Sequence, residues 1–125
     1  MKGCGLLLIN CTNHPLSEWS EGQIEAAAKW GEIKDFPFPQ VSPFATSDEV
    51  DALAESMVSQ IIEYHPDAAI VQGEMTLCYA LVSKLKNNGI PTFAATSDRK
   101  TVVKKDSNGN TIKTSLFEFA TFREY

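Results

Sequence analysis

Alternating apolar runs and amphipathic stretches predict an α/β fold: a doubly wound, Rossmann-like parallel sheet with flanking helices, closed by a C-terminal antiparallel β-hairpin. Three observations carry this. Gly5–Asn10 and Ala68–Gln72 are apolar up to a final polar residue, the pattern of short strands buried on both faces. Between such runs, apolar residues recur at helical spacing behind capping-box sequences. The last third abandons that alternation and is rich in Thr, Val and Phe around a turn signal.

Gly5–Asn10 forms the first strand. Ser20 and Gln23 have capping-box spacing, Ile24, Ala27 and Ala28 share one face, and the helix runs to about Gly31. Glu32–Phe38 is a second strand bounded by prolines. Thr46 and Glu49 offer another capping box, after which Val50, Leu53, Ala54, Met57, Val58, Ile61 and Ile62 keep helical spacing as far as His65-Pro66. Ala68–Gln72 is the third strand. A helix follows with Leu77, Cys78, Leu81, Val82 and Leu85, closed by Asn88-Gly89, and Pro91–Ala95 is the next strand. Arg99–Lys105 and Thr111–Phe122 form the hairpin, with Asp106–Asn110 as its turn. Phe117, Phe119 and Phe122 place aromatic rings on both faces of the final strand, so at least one face calls for cover by a helix or a second copy.

A chain of 125 residues suits one domain, 1–125. Hydrophobic content of 43% with 22% charged residues excludes a disordered or fibrous chain. The net charge of -5 argues against a basic face for duplex nucleic acid or an anionic membrane. Cys4, Cys11 and Cys78 are odd in number and form no C-x-x-C pair, which points to reduced, mostly buried thiols and a cytoplasmic location. No run reaches the length of a signal-peptide core or a membrane span.

In a parallel sheet the ligand crevice lies beyond the carboxyl ends of the strands. Three polar segments meet that description: Asn10–Pro15, Gln72–Thr76 and Thr96–Lys100. In the second, Gly73 allows close backbone approach and the helix start presents free N–H groups, a candidate anion site, although Glu74 there equally complements the helix dipole. The third joins the hydroxyls of Thr96 and Ser97 to the cations Arg99 and Lys100, which suits a phosphodiester; an Arg99 pair with Asp98 or Glu74 is the simpler alternative. His14 stands where a proton-transferring imidazole belongs, or serves the loop. Lys104 and Lys105 read as a solvated hairpin edge and His65 as a helix end. Neither zinc-ligand spacing nor a nucleophile elbow occurs, and no cofactor is called for.

The segments Asn13-His14-Pro15-Leu16-Ser17, Val71-Gln72-Gly73-Glu74 with Thr76 and Tyr79, Ala95-Thr96-Ser97-Asp98-Arg99, and Phe119-Ala120-Thr121-Phe122-Arg123-Glu124-Tyr125 are similar, in order and spacing, to those of small CRISPR-associated proteins of the Csx20 and Csx15 kind. That resemblance implies a CARF-like fold that binds a cyclic oligoadenylate second messenger of type III CRISPR immunity, and in ring nucleases cleaves cyclic tetra-adenylate without metal. Ser97-Asp98 departs from the Thr/Arg character expected there. Under this reading Arg99, Ser97 and the N–H groups around Gly73 stabilise charge, His14 moves protons and Glu74 is the rival base. Asn10 and Asn13 fix adenine or ribose edges, and Thr12, Gln72, Met75, Thr76 and Thr96 complete the ligand set. A twofold-symmetric ring implies a homodimer. Two other readings stand beside it: a non-catalytic sponge for the same ligand, and a small-nucleotide enzyme with Glu74 as nucleophile.

Overall fold

In a computed structural model, residues 5–125 are described; Cys4 lies outside them. Five strands, β1 (Leu7–Cys11), β2 (Glu32–Asp35), β3 (Ala68–Val71), β4 (Thr92–Lys105) and β5 (Thr111–Glu124), form one sheet in the order β2-β1-β3-β4-β5. The first four are parallel neighbours and β5 runs antiparallel to β4. The helices are α1 (Glu21–Ala27), α2 (Ser47–Glu63) and α3 (Met75–Asn87), with short 3-10 turns at Leu16–Glu18 and Ala28–Trp30. The chain leaves β1 toward one edge of the sheet and β3 toward the other, so the strand order reverses between them.

The two central strands, β1 and β3, split their side chains between two cores. Leu8, Ala68 and Ile70 pack with Trp19 and Ala27 on the α1 face. Ile9, Cys11, Ala69 and Val71 point the other way, onto Ala54, Val58 and Ile61 of α2 and Leu77, Leu81 and Leu85 of α3. Burial on both faces explains why β1 and β3 read as unbroken apolar runs.

The helix ends follow their sequence signals. Both expected capping boxes form, Ser20 with Gln23 and Thr46 with Glu49. His65 stops α2 in the left-handed region at φ 52 just before Pro66. Beyond α3, the Gly89 N–H donates to Lys86 O and the Ile90 N–H to Leu85 O, a Schellman closure with Gly89 at φ 76. At the hairpin turn, Asp106 Oδ1 accepts from the N–H groups of Asn108 and Asn110, both at 2.9 Å.

Three expectations are corrected. The second strand ends at Asp35 rather than Phe38, because Pro37 has no N–H for the ladder; Phe36 N still reaches Asn10 O at 2.9 Å. Thr96–Lys100 is not a loop: β4 runs unbroken from Thr92 to Lys105, since β5 supplies a partner to every one of those polar residues. The aromatic rings of β5 do not divide between two faces. Thr96 pairs with Thr121 and Ser97 with Phe119, so Ala120 has no partner, a β-bulge that reverses the side-chain parity. Phe117, Phe119 and Phe122 therefore share the α1 face.

Gly31 turns the chain into β2 at φ 79 and ψ -130, and a Cβ there would stand 2.5 Å from Leu6 O. Gly31→Ala is expected to lower stability by about 2 kcal/mol or more, read by chemical denaturation; a change within about 0.5 kcal/mol would contradict this turn.

Candidate functional site

Across the carboxyl ends of β1 and β3, and where β4 continues past the end of β3, lies a cleft of about 580 Å³ on the α1 face. Its floor is Ile70, Gln72 and Ala95, with Thr12 and Ser97 at the sides. One wall is the segment from His14 through Trp19 and Ser20 to Gln23; the other is Phe117, Phe119 and Phe122. The bulge makes the second wall: Phe119 and Phe122 sit with centroids 4.8 Å apart, and Phe122 leans on Trp19 at 6.0 Å and Trp30 at 5.6 Å. Ring against ring, the hairpin is held to the segments on either side of α1.

The loop after β1 is fixed by buried polar groups. Asn10, 1% exposed, donates from Nδ2 to Asp35 Oδ1 and to His14 O, both at 2.9 Å. Thr12 Oγ1 donates to Asn10 Oδ1 at 2.9 Å and accepts from the His14 N–H at 3.1 Å. Trp19 Nε1 adds a second bond to His14 O at 3.0 Å, and Asp35 Oδ1 accepts from the Leu16 N–H at 3.1 Å. All of this grips the backbone of His14 and leaves its ring at the cleft wall. The side chain is 77% exposed, with Nδ1 3.6 Å from Glu18 Oε2, and among the described residues Nε2 has no hydrogen-bond partner.

Gln72 extends β3 past its last residue. Its Oε1 accepts from the Ala95 N–H at 2.9 Å and its Nε2 donates to Ala95 O at 3.2 Å, so one side-chain amide stands in for a strand peptide and carries the ladder to the cleft floor.

The sequence profile of the uncharacterized protein MJ1673 family matches residues 7–123. The chain belongs to the MJ1673 family. No curated protein and no solved structure matches it. In this member of the MJ1673 family, the matched span contains both cleft walls and the floor.

The cleft brings together Thr12, His14, Gln72 and Ser97 of the residues singled out in the sequence. Asn10 lies beneath the loop as its brace, and Asn13 lines a smaller hollow with Asp35, Pro37 and Phe38. Thr96 Oγ1 is occupied at the bulge, donating to Thr121 O at 3.0 Å and accepting from the Thr121 N–H at 3.2 Å. Arg99 lies on the cleft face of β4 but further along the hairpin, bonded to Ser115 Oγ at 3.0 and 3.3 Å.

The expected anion site at the start of α3 is filled by the protein itself. The Glu74 carboxylate accepts from the N–H groups of Thr76 at 3.0 Å and Leu77 at 2.8 Å and from the Thr76 hydroxyl at 2.7 Å. Those bonds, the Thr76 hydroxyl first, hold its acidity below the usual carboxylate range. Gly73 is explained by Phe38, whose ring would stand 2.4 Å from a Cβ there. Met75 and Thr76 face a groove between α2 and α3, away from the cleft. Cys11, buried, has its thiol pushed up to about 12 by desolvation and then by Cys78, and so stays neutral.

Trp19, Phe117, Phe119 and Phe122 were missed as site residues by sequence reasoning. The step of two and then three between the phenylalanines is the signal of a bulge. Among the described residues, no three metal-ligating side chains gather.

Two outcomes follow. Asn10→Ala should cost about 1–3 kcal/mol in denaturation, because Asp35 and His14 O lose a buried donor; near-neutrality would mean the loop stands without it. Glu74→Ala should lower Tm at neutral pH. Since folding lowers the Glu74 pKa, its stabilisation is present above the ordinary carboxylate range and disappears as pH falls through the folded value. The two Tm curves should therefore converge in acid; a gap that does not change with pH would contradict an ionic cap.

Proposed function

We propose that this protein binds a cyclic oligoadenylate, cyclic tetra-adenylate in the first instance, in the cleft beyond β1 and β3, and opens the ring without metal. The finer fold reading, Rossmann-like and CARF-like, belongs to the same proposal. The observation that carries it is the meeting of His14 with an aromatic wall at the point where strand order reverses. Planar bases stack on rings such as Phe119 and Phe122 with little regard to sequence. The resemblance of Asn13–Ser17, Val71–Glu74 and Phe119–Tyr125 to ring-nuclease families supports the same ligand.

In the proposed reaction the ribose 2′-oxygen attacks the adjacent phosphorus and the bond from phosphorus to the 5′-oxygen breaks. A 2′,3′-cyclic phosphate and a 5′-hydroxyl result. One proton leaves the 2′-oxygen and one reaches the 5′-oxygen; we assign the transfer to His14, whose Nδ1 faces Glu18 and whose Nε2 has no hydrogen-bond partner among the described residues. Ser97 brings a hydroxyl to the cleft that can donate to a phosphate oxygen. The Glu74-nucleophile alternative loses its residue, because that carboxylate caps α3 and does not line the cleft.

A cleft of about 580 Å³ suits one small ligand rather than a whole ring, so the proposal includes a homodimer that presents two clefts to one twofold-symmetric ligand. Light scattering at micromolar concentration with cyclic tetra-adenylate should show twice the 13.8 kDa chain mass. A monomer with and without ligand would remove the dimer.

The reaction is tested by incubation with cyclic tri-, tetra- and hexa-adenylate in EDTA and chromatography of the products. Ring opening of the tetramer is expected, and His14→Ala should slow the single-turnover rate by about 10²–10⁴-fold. A loss of only a few-fold would take proton transfer away from His14. Tight binding with an intact ring would leave a sponge, and no binding would end the reading.

A further inference from the structure

From the cleft outward, β4 and β5 continue as a two-stranded arm whose residues 97–105 and 111–119, among the described residues, pair only with each other. Its α1 face carries Ser97, Phe119, Arg99, Phe117 and Ser115 in that cross-strand order, because Ser97 pairs with Phe119 and Arg99 with Phe117. Phe117 is 69% exposed and stands at the end of the cleft's aromatic wall nearest the arm. The Arg99 guanidinium lies over that ring, 6.0 Å from its centroid, held by the neutral hydroxyl of Ser115.

Charge pairing differs between the two faces of the arm. On the opposite face, Lys100 Nζ is neutralised by Glu118 at 3.0 Å. On the cleft face, among the described residues, no carboxylate stands in ion-pair distance of Arg99. In a chain of net charge -5, that guanidinium is left with a neutral partner beside an exposed aromatic ring, and Ser115 takes only part of its five N–H donors.

We propose that Phe117, Arg99 and Ser115 form a second nucleotide subsite on the arm, at the outer rim of the cleft. One base stacks on Phe117, and Arg99 holds the phosphodiester that joins it to the nucleotide in the cleft. This rests on the proposed oligoadenylate ligand and adds to it that the recognised unit is a dinucleotide step. The cleft and the arm share Phe119 and Phe117, so a chain of nucleotides passes from one to the other without leaving the aromatic face.

Calorimetric titration with AMP, linear diadenylate and cyclic tetra-adenylate separates the claims. Wild type should bind diadenylate about tenfold or more tightly than AMP, the gain of one stacked base with a held phosphate. That ratio should fall toward one in Phe117→Leu and in the exposed-site variant Arg99→Gln, recover in Phe117→Tyr, and survive in Lys105→Ala at the arm's far end. Equal affinities for AMP and diadenylate in wild type, or a ratio unchanged in both Phe117→Leu and Arg99→Gln, would overturn the subsite and leave the cleft reading standing. If cyclic tetra-adenylate fails to bind at all, the cleft reading falls and the subsite with it.

Discussion

Opposite the Thr96–Ser97 step of β4, β5 carries one residue too many, Ala120, and the shape of the cleft depends on that insertion. Without it, strict alternation would send Phe122 to one face of the sheet and Phe117 and Phe119 to the other. With it, three rings line one wall, and Phe122 is free to pack on Trp19 and Trp30 while Phe119 and Phe117 continue outward. Thr96 Oγ1 bonds Thr121 through both its N–H and its carbonyl, which holds the bulge in register. A local break in pairing thus sets what the cleft offers a ligand.

The other wall depends on burial of polar groups. Asn10 sits where a parallel strand would ordinarily carry an apolar residue, and its amide is tolerated because Asp35, Thr12 and the His14 carbonyl satisfy it. The same network joins the ends of β1 and β2 to the loop, so fold stability and the position of His14 are one structure. Gln72 does a related job on the floor, with a side-chain amide continuing a strand that its backbone has left. The α2 and α3 face is different in kind: its contacts are mostly aliphatic, joined by Phe36 and Phe38, and serve the core.

Much of the architecture is legible in the sequence because burial on both faces and helix capping leave local marks. The apolar runs of β1 and β3, both capping boxes, the α2 stripe and the hairpin turn appear where their residues require. The site is less legible, and the reasons are tertiary. Thr96–Lys100 looks like a loop because its composition is polar, yet pairing with β5 makes it strand. Glu74 reads as an active-site carboxylate or a helix cap, and only the distances to the Thr76 and Leu77 N–H groups decide for the cap. Asn10, Thr12 and Gln72 sit at the expected mouth of the crevice, but their polar atoms are taken up in holding the loop and the sheet together.

The central claim is that a ligand enters between the His14 loop and the aromatic strand. Hydrogen–deuterium exchange with and without cyclic tetra-adenylate tests it most directly. Added protection should appear in 12–23, 95–99 and 115–122, the two walls and the arm, with the amides of α3 unchanged. Protection confined to 73–83 would place the ligand on the α3 side and contradict the account, as would a pattern that the ligand leaves untouched.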